Sequence, residues 1–440
     1  MNNRLTPLSE LIEVISMGPF GSDIKVDNFV DNGVPVLNGF NLSGIKLIED
    51  QFKYVTAEKA KTFKKAIAHR GDIVITHRGT LGQISYIPED SKFVNYVISQ
   101  SQFRVRFKQN LVDPAYIVYY FHTNEGQKRL LANKCHVGVP ALAQATTNFR
   151  LIQIPLPSLN IQLKIASVLL ALDSKIELNN RINTELEAMA KTLYEYWYVQ
   201  FDFPDANGKP YKSGGGKMVW NTELNREIPE GWKVKSLGKA INIIRGASPR
   251  PIDDFLSDEG MPWVKISDAT KSNNRFIIET KQFIVEEGVS KSRNVFPNTL
   301  ILSNSASPAI PRIMKIDACV HDGWLVIDKY SGGLTPEFMF HYFEYERPRI
   351  ICLGSGSIFK NLKTDYLKDL KFIVPPELIL NALTPSFKTI SEMIYTKTLE
   401  NQQLSSLRDW LLPMLMNGQV KVKDTLDESL AAEDNVKYQS

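Results

Sequence analysis

The sequence has 440 residues, of which 43% are hydrophobic, 10% aromatic and 23% charged, and its formal net charge is +4. This composition is typical of globular proteins and excludes a disordered or fibrous chain, and the length predicts two to four domains of about 100–200 residues each. Three scattered cysteines, Cys135, Cys319 and Cys352, exclude a disulfide framework and a zinc-binding spacing. Because we find neither a signal-like N-terminus nor an apolar run of about 18 residues, we expect a reduced, soluble, cytoplasmic protein.

Positive charge is concentrated in two blocks. Residues 1–157 hold 18 Lys and Arg against 13 Asp and Glu, and residues 226–376 hold 21 against 18. The segments that follow these blocks, 158–225 and 377–440, are slightly acidic. This distribution favours two modules that face a polyanion. Ordinary scatter of charge around zero is the alternative explanation.

A long helix is predicted after Pro157, since proline suits the first turn of a helix. Apolar side chains then recur at three- and four-residue steps, which is the period of an α-helix. They occupy positions 165, 169, 172, 176, 182, 186, 189, 193 and 196. From residue 160 to 198 such a helix measures roughly 58 Å, at about 1.5 Å per residue.

The segment after this helix is rich in turn-forming residues. It reads DFPDANGKPYK (202–212) and then SGGGKMVW (213–220). The glycine cluster lacks the Ser or Thr that follows lysine in a phosphate-binding loop. We therefore interpret residues 203–225 as a linker.

The second half of the chain repeats the first, at an offset that falls from about 229 to 218 residues. The matching pairs in chain order are Leu8 with Leu237, 32–42 with 259–269, 70–87 with 296–316, Pro157 with Pro376, and the apolar positions 172, 176, 186, 189 and 193 with 390, 394, 404, 407 and 411. The repeated unit is too long for a solenoid and predicts two copies of a globular module followed by a helix. In the second helix, Pro385 predicts a late start or a kink.

The two helices are expected to pack against each other, because a narrow apolar stripe usually contacts another helix. The predicted seam consists of Leu172, Ile176, Asn183, Leu186, Leu193, Ile390, Ile394, Asn401, Leu404 and Leu411. Asn183 and Asn401 occupy equivalent positions, where polar residues can fix the helix register. That both asparagines are simply solvated is the alternative.

The predicted fold class is α+β, with two globular domains joined by two long antiparallel, coiled-coil-like helices and an internal pseudo-twofold repeat. The predicted segments are a first module (1–157), a central helix (158–202), a linker (203–225), a second module (226–376), a distal helix (377–418) and a flexible tail without an assigned role (419–440). Two modules held apart by a pair of long helices are suited to bind one ligand at two separated recognition points, and duplex DNA is such a ligand. Half-sites about 34–36 Å apart face the same side of the duplex.

Motifs for catalysis are absent from the sequence. We find no phosphate-binding loop, no H-E-x-x-H, no paired C-x-x-C and no calcium loop. The Pro-Pro of VPPE (374–377) also lacks the preceding Asn or Asp and the following aromatic residue that are typical of amino-group methyltransferases. The six histidines show no metal-ligand spacing. We therefore expect a non-catalytic protein without a metal site. A scaffold that bridges partner subunits without reading DNA is the main alternative, and an enzyme with a motif-free site at a module–helix junction is disfavoured.

Several segments resemble the specificity subunits of type I restriction-modification enzymes. They are IPLPSLNIQLKIASVLLALDSKIELNNRIN (154–183), RGDIVITHRGTLGQI (70–84), HVGVPALAQATTNFRLIQIPLP (136–157) and its counterpart GSGSIFKNLKTDYLKDLKFIVPP (354–376). The resemblance spans about residues 5–415 in the expected order. It is weaker at SNSASPAIPR (303–312), which replaces THRGTLGQ (76–83).

The resemblance implies two target recognition domains, each of which reads one half of a split, asymmetric DNA sequence. The helices would set the length of the unread spacer between the half-sites. It also implies partners: double-stranded DNA, two methyltransferase subunits that bind S-adenosylmethionine, and restriction subunits driven by ATP and Mg. These cofactors would belong to the partners and not to this chain.

Candidate DNA-reading residues are polar or basic side chains in loops punctuated by glycine and proline, where the backbone can approach the duplex. In the first module they are Ser22, Lys25, His77, Arg78, Thr80, Lys134 and His136. In the second they are Arg245, Ser248, Arg250, Asn304, Arg312, Ser355, Lys360 and Asn361. Each of them could instead be a solvated loop residue or a turn-capping side chain.

Overall fold

The computed structural model describes residues 5–19, 23–135, 138–270, 274–305, 307–354, 362 and 364–423. The chain divides into two compact units. Unit 1 combines the residues up to Ile176 with those from Gln402 onward, and unit 2 comprises Glu177–Asn401. Because both boundaries fall inside the long helices, each unit contains part of each long helix.

The helices of the described residues include two that are far longer than the rest. In chain order they are α1 (Leu8–Leu11), α2 (Ala57–Thr62), α3 (Pro114–His122), α4 (Asn124–Leu130), α5 (Ala145–Leu151), α6 (Leu159–Tyr194), α7 (Leu237–Ala240), α8 (Ile266–Thr270), α9 (Glu286–Val289), α10 (Pro336–Gly354), α11 (Thr364–Asp369) and α12 (Glu377–Met416). Helix α6 continues as a π-helical turn over Glu195–Val199. The two long helices predicted from the apolar period are confirmed.

Unit 1 contains two main sheets. Its strands are β1 (Leu5–Pro7), β2 (Ile12–Met17), β3 (Phe29–Val30), β4 (Val34–Val36), β5 (Lys53–Val55), β6 (Ile67–His69), β7 (Ile73–Thr76), β8 (Ile84–Tyr86), β9 (Asn95–Val97), β10 (Gln102–Phe107), β11 (Lys134–Cys135), β12 (Ala141–Leu142) and β13 (Gln153–Pro155). One sheet has the order β2-β10-β7-β8 and the other β3-β5-β4-β9-β6. Strands β1 and β13 pair separately, as do β11 and β12.

Unit 2 repeats this topology. Its strands are β14 (Met218–Asn221), β15 (Arg226–Pro229), β16 (Lys233–Ser236), β17 (Asn242–Arg245), β18 (Leu256–Ser257), β19 (Met261–Val264), β20 (Phe276–Ile277), β21 (Gln282–Ile284), β22 (Arg293–Val295), β23 (Leu300–Ser303), β24 (Pro311–Met314), β25 (Ala318–Val320), β26 (Trp324–Asp328) and β27 (Lys371–Val374). The sheet β17-β26-β23-β24-β20 corresponds to β2-β10-β7-β8, and β18-β21-β19-β25-β22 corresponds to β3-β5-β4-β9-β6. The predicted α+β class and internal repeat are confirmed.

Each central strand is buried on both faces, which explains its continuous apolar sequence. In β7, Ile73 and Ile75 join one core and Val74 joins the other, because successive side chains point to opposite faces. In β23, Leu300 and Leu302 likewise join one core and Ile301 joins the other. The same alternation in both units places two cores around each central strand.

Close backbone approaches are repeated as well. Gly18 donates its N–H to the carbonyl of Gln102, and Gly246 donates to that of Trp324. A Cβ atom at Gly18 would lie 2.0 Å from the carbonyl oxygen of Ser99, and one at Gly246 would lie 2.3 Å from the carbonyl oxygen of His321. Only glycine fits at either position, since both contacts are with rigid backbone.

Within unit 1, the two long helices run antiparallel. Ile165 and Leu169 of α6 share a core with Leu415 and Met416 of α12. Further along α6, the Asp173 carboxylate accepts hydrogen bonds from Arg408 of α12, at 2.7 Å, and from Tyr119 of α3. Position numbers therefore rise along α6 as they fall along α12.

Within unit 2, the pairing of the long helices includes a polar contact that differs from the prediction. Asn401 accepts a hydrogen bond of 2.9 Å from Asn179 and donates one of 2.8 Å to Asn180. Asn183 is half-buried, and its side-chain oxygen has no hydrogen-bond partner in the part of the chain that the structure describes. Among the described residues, Asn183 therefore lacks the side-chain hydrogen bonds that its repeat counterpart Asn401 forms, and the burial of its oxygen disfavours the solvated alternative. The partners of Asn401 are Asn179 and Asn180, which lie four and three residues before Asn183 in α6.

The apolar seam residues are buried to different degrees. Leu186, Ile390 and Ile394 are buried, whereas the half-buried members are Leu172, Ile176, Leu193, Leu404 and Leu411. Met189 and Leu407, which continue the apolar period, are 59% and 44% exposed. The buried stripe is therefore narrower than the sequence pattern.

Two local expectations are corrected. The predicted linker 203–225 is folded: Phe203 stacks on Tyr211 at 4.7 Å between ring centroids, β14 pairs with β15, and these residues pack on the core of unit 2. Helix α12 begins at Glu377, directly after Pro376, so the late start is wrong and the helix runs through Pro385.

Candidate nucleic-acid interface

The loops that follow β2 and β7 and those that precede β10 and β8 meet at one edge of the first sheet, because these four strands are antiparallel neighbours. We call residues 77–83, 99–101, 134–135 and 138–142 the first loop cluster. Its segments are tied together by backbone hydrogen bonds: His77 donates to the carbonyl of Ser101, Gly79 to that of Pro140, and Leu142 to that of His77.

The first loop cluster brings together four of the predicted residues. Arg78, Thr80 and Lys134 are exposed, and His77 is half-buried. Gly79 has φ +91°, a left-handed conformation that glycine adopts without strain and that turns the chain between Arg78 and Thr80. The arrangement presents one guanidinium, one ammonium and one hydroxyl group to solvent.

The surroundings of His77 limit the kind of contact that its imidazole can make with a ligand. Its Nε2 lies 3.2 Å from the carbonyl oxygen of Gln100. Burial lowers the pKa of His77, the contact with the Gln100 carbonyl opposes this, and the charge of Arg78 adds to the lowering. The side chain is therefore neutral at physiological pH and suits a hydrogen bond to a base edge better than the binding of phosphate.

The other predicted residues of the first module are not part of this set of contacts. Lys25 is exposed and lies before a short 3₁₀ turn over Val26–Asn28, where its backbone N–H donates to the side chain of Asn28. Ser22 and His136 lie outside the described residues.

Unit 2 has an equivalent loop cluster at the equivalent sheet edge. We call residues 245–251, 304–305, 307–310 and 321–323 the second loop cluster. Asn304 donates its backbone N–H to Gly323, as His77 does to Ser101, and Leu362 donates to Asn304, as Leu142 does to His77. The repeated hydrogen bonds make His77 and Asn304 equivalent positions.

Asp322 is the centre of the polar contacts in the second loop cluster. Its carboxylate accepts hydrogen bonds from Ser248 at 3.0 Å and from Arg250 at 3.2 Å, and its backbone carbonyl accepts one from Arg245 at 3.0 Å. Burial raises the pKa of Asp322, but the Ser248 hydrogen bond and the charges of His321, Arg250 and Arg245 outweigh it, so that the net shift is downward. Asp322 is therefore ionised at neutral pH.

Two predicted residues of the second module differ from the exposed loop residues that we expected. Asn304 is 1% exposed. Arg312 lies on strand β24 and is half-buried, and its guanidinium donates to the carbonyls of Pro311 and Ala269. Burial lowers the pKa of Arg312, and the nearby Glu344 opposes this shift. Ser355, Lys360 and Asn361 lie outside the described residues.

Sequence reasoning missed two residues of the loop clusters. Gln100 is exposed beside His77, and Asp322 holds three predicted residues. The two residues occupy equivalent positions, each directly before the residue whose carbonyl accepts the bond from His77 or Asn304. The repeat offset of about 222 residues is the signal that could have linked them.

Groups of three or more His, Cys, Asp or Glu side chains that could hold a metal ion do not occur among the described residues. Over the same residues, none of the helices is long and apolar enough to cross a membrane.

Comparison with known families identifies the family to which both copies of the repeat belong. A family model described as the type I restriction modification DNA specificity domain matches residues 11–188 and again residues 229–407. The chain belongs to this family. The two matches correspond to the two copies of the repeated sheet topology, each with most of the long helix that follows it.

Individual relatives agree with this assignment. The chain is 25% identical over 379 residues to the MjaIX specificity subunit of Methanocaldococcus jannaschii, covering 84% of this chain and 82% of the relative. It is 24% identical over 414 residues to the HindI specificity subunit of Haemophilus influenzae, covering 81% and 88%. Its fold is similar to the crystal structure of a type I restriction-modification S subunit from M. genitalium, with a TM-score of 0.62 at 15% identity over 94% of this chain and 97% of the other.

Proposed function

We propose that this specificity-family chain recognises a bipartite, asymmetric DNA target, with one half-site for each unit, and carries no catalytic activity of its own. The observation that carries the proposal is the repeated loop cluster. In both units the same sheet edge presents hydrogen-bonding and cationic side chains, which is the combination that base readout and phosphate contact require.

Differences between the clusters support an asymmetric target. Equivalent positions hold His77 and Asn304, and Gln100 and Asp322. Asn304 is buried and Asp322 bonds Ser248 and Arg250, so the groups that can face a base are the His77 imidazole and the Gln100 amide in unit 1 and the guanidinium groups of Arg245 and Arg250 in unit 2. These groups offer different sets of donors and acceptors to a base edge. Two units with the same backbone and different side chains would therefore prefer different half-site sequences.

We further propose that the chain assembles with two methyltransferase subunits and with restriction subunits, as the specificity family implies. S-adenosylmethionine, ATP and Mg would be bound by these partners. The paired helices α6 and α12 would set the length of the spacer between the half-sites. A scaffold that bridges the same partners without reading sequence is the alternative, and the polar loop clusters disfavour it.

Methylation mapping tests the proposal. The full chain is co-expressed with the methyltransferase subunit that it pulls down, and modified bases are mapped across the host genome. We expect one motif with two short half-sites separated by bases of no preference. Replacing the first module with that of a relative should change one half-site and leave the other unchanged.

Three outcomes separate the proposal from its alternatives. A motif that ignores the module exchange supports the scaffold and contradicts sequence readout by this chain. Methylation by this chain without a partner contradicts the non-catalytic role. Loss of salt-dependent duplex binding in the whole complex contradicts DNA recognition altogether.

A further inference from the structure

Asp322 has an unusual position for a residue at a DNA-reading edge, because a carboxylate repels phosphate. The side chain of Asp322 is 30% exposed, whereas that of Arg250 is 80% exposed. The carboxylate therefore lies below the guanidinium group and is partly covered. Its chain neighbours, His321 and Gly323, belong to the backbone contacts that repeat between the units.

Three side chains that bond Asp322 come from one segment more than 70 residues away in sequence, and Nε2 of the adjacent His321 also lies 3.3 Å from its carboxylate. Ser248 and Arg250 bond its two carboxylate oxygens, and Arg245 donates from Nε to its carbonyl. The hydroxyl oxygen of Ser248 also accepts the backbone N–H of Asp322, at 3.2 Å. One residue thus fixes both ends of the segment 245–250.

A guanidinium group has five N–H donors in a rigid fork. Asp322 uses one donor from Arg245 and one from Arg250, so each group keeps donors that can face a ligand. Bidentate hydrogen bonds from arginine to the O6 and N7 atoms of guanine are the commonest specific contact in the major groove. A flexible arginine must be ordered on binding, whereas one that is already held loses less conformational entropy.

We propose that Asp322 is a positioning residue that determines specificity at one half-site: its carboxylate, bonded to Ser248 and Arg250, holds Arg250 in the arrangement in which this arginine reads a guanine-containing base pair, beside Arg245, which bonds the backbone carbonyl of residue 322. We call this arrangement the Asp322 clamp. The inference rests on the proposed function, because it assigns a role within the same DNA-reading edge. The equivalent position in unit 1 is Gln100, an uncharged amide, so the clamp belongs to unit 2 alone among the two described loop clusters.

The test compares Asp322→Ala, Arg250→Ala and the double variant. The full chain, with the methyltransferase subunit that co-purifies, selects from a double-stranded DNA library in which both half-sites and the spacer length are randomised. We expect each single variant to lose about tenfold or more of its discrimination at the same base positions. The double variant should lose no more than either single variant, because the two residues act as one unit.

Matched variants separate the clamp from folding and from net charge. Asp317→Ala removes an exposed carboxylate beyond the opposite end of β24 and should leave the base preferences unchanged. Asp322→Glu keeps the charge and should restore part of the discrimination that Asp322→Ala loses. The preferences at the other half-site should be unchanged in every variant, which a general loss of folding could not produce.

The outcomes are distinct for the clamp and for the proposed function. If wild type prefers two half-sites and Asp322→Ala does too, with unchanged preferences, the clamp is wrong and the proposed function stands. If Asp322→Ala and Arg250→Ala relax different base positions, Asp322 reads a base directly and the positioning role is wrong. If wild type selects no half-site at all, both proposals fail.

Discussion

The first and second loop clusters share a backbone and differ in how their side chains are held. In the first, Arg78 and Thr80 stand on either side of Gly79 and are exposed. In the second, Asn304 is buried, and Arg245 and Arg250 are tied to Asp322. The repeated hydrogen bonds therefore hold the same sheet edge in both units, while the side chains at that edge differ. A fixed support with variable side chains is what two unlike half-sites require.

The long helices show a similar contrast. In unit 1, the half-buried Asp173 joins Tyr119 and Arg408, so that one carboxylate links three helices. In unit 2, Glu187 of α6 forms a salt bridge with Arg275, whose side chain is 1% exposed and lies 4.6 Å from the ring centroid of Phe340. Both units attach their part of α6 through a carboxylate, but only in unit 2 is the cationic partner fully buried.

The largest effect is expected from lengthening both helices. Inserting four residues after Ile176 and four after Leu404 places the additions between the Asp173–Arg408 contact and the Asn179–Asn401 contact. At 3.6 residues per turn, four residues rotate a helix by about 40° beyond a full turn. This is close to the twist of one DNA base pair, about 34–36°. Because the same four residues also lengthen each helix by about 6 Å, at about 1.5 Å per residue, we expect the complex to abandon its original target for one with a longer spacer.

The insertion has a built-in control. A four-residue insertion is a stutter, which unwinds a helix pair locally without breaking it, provided that both helices carry it. The insertion in α6 alone should shift the pairing, weaken assembly and lower the melting temperature. A preferred spacer that stays the same in the double insertion would show that the helices do not set it. Deleting residues around Glu185–Ala188 is a poorer test, because it removes the partner of Arg275.

The second-largest effect is expected at the two ion pairs of α6, Glu187 with Arg275 and Asp173 with Arg408. Glu187→Ala leaves the buried Arg275 without its ionic partner, and breaking such a pair typically costs 3–5 kcal/mol. Because Glu187 itself is 37% exposed, we expect about 3 kcal/mol less free energy of unfolding. Asp173→Ala should cost less, about 1–2 kcal/mol, since Arg408 is partly exposed and also bonds Asp409. Urea unfolding measures both.

A neighbouring glutamate provides the control for these variants. Glu185 is exposed on the same turn of α6 as Glu187, so Glu185→Ala should change the free energy of unfolding by no more than about 0.5 kcal/mol. Equal losses for Glu185→Ala and Glu187→Ala would mean that the contact with Arg275 contributes nothing. Equal losses for Asp173→Ala and Glu187→Ala would remove the contrast between the units.

The sequence predicted the periodic features of this fold and missed those that depend on distant contacts. The apolar period predicts a helix over 377–418, and α12 spans Glu377–Met416, because this period is long and regular. The sequence of 203–225 predicts a linker, because its glycines and prolines indicate turns and do not reveal that Phe203 stacks on Tyr211. Local signals identify a turn, and only tertiary packing shows whether it is buried.

The same limit applies to the candidate site. Arg78 and Thr80 could be chosen because glycines beside them mark an exposed turn. The sequence around Arg312 predicts the same kind of loop, but the strand β24 begins before it and buries part of its side chain. Asp322 could not be chosen from local sequence, since its role depends on Ser248 and Arg250 across a separation of more than 70 residues.

Effects confined to a single side chain distinguish a reading arginine from a structural one. Arg78→Ala should relax one half-site by about 1–3 kcal/mol if its guanidinium makes a bidentate base contact, with no change in the free energy of unfolding. Arg312→Ala should lower the free energy of unfolding by about 1–2 kcal/mol, because the carbonyls of Pro311 and Ala269 lose their donor. Selection from randomised duplexes and urea unfolding, applied to both variants, measure the two quantities.

The salt dependence of binding decides the remaining ambiguity for Arg78. If Arg78 contacts phosphate alone, the loss of affinity in Arg78→Ala is uniform across sequences, and the slope of log affinity against log salt becomes shallower by about one. If it contacts a base, the loss is confined to one position of the half-site. A variant of Arg78 that binds every duplex as the wild type does would remove this residue from the first loop cluster's contacts with DNA. The contrast with Arg312 would then rest on burial alone.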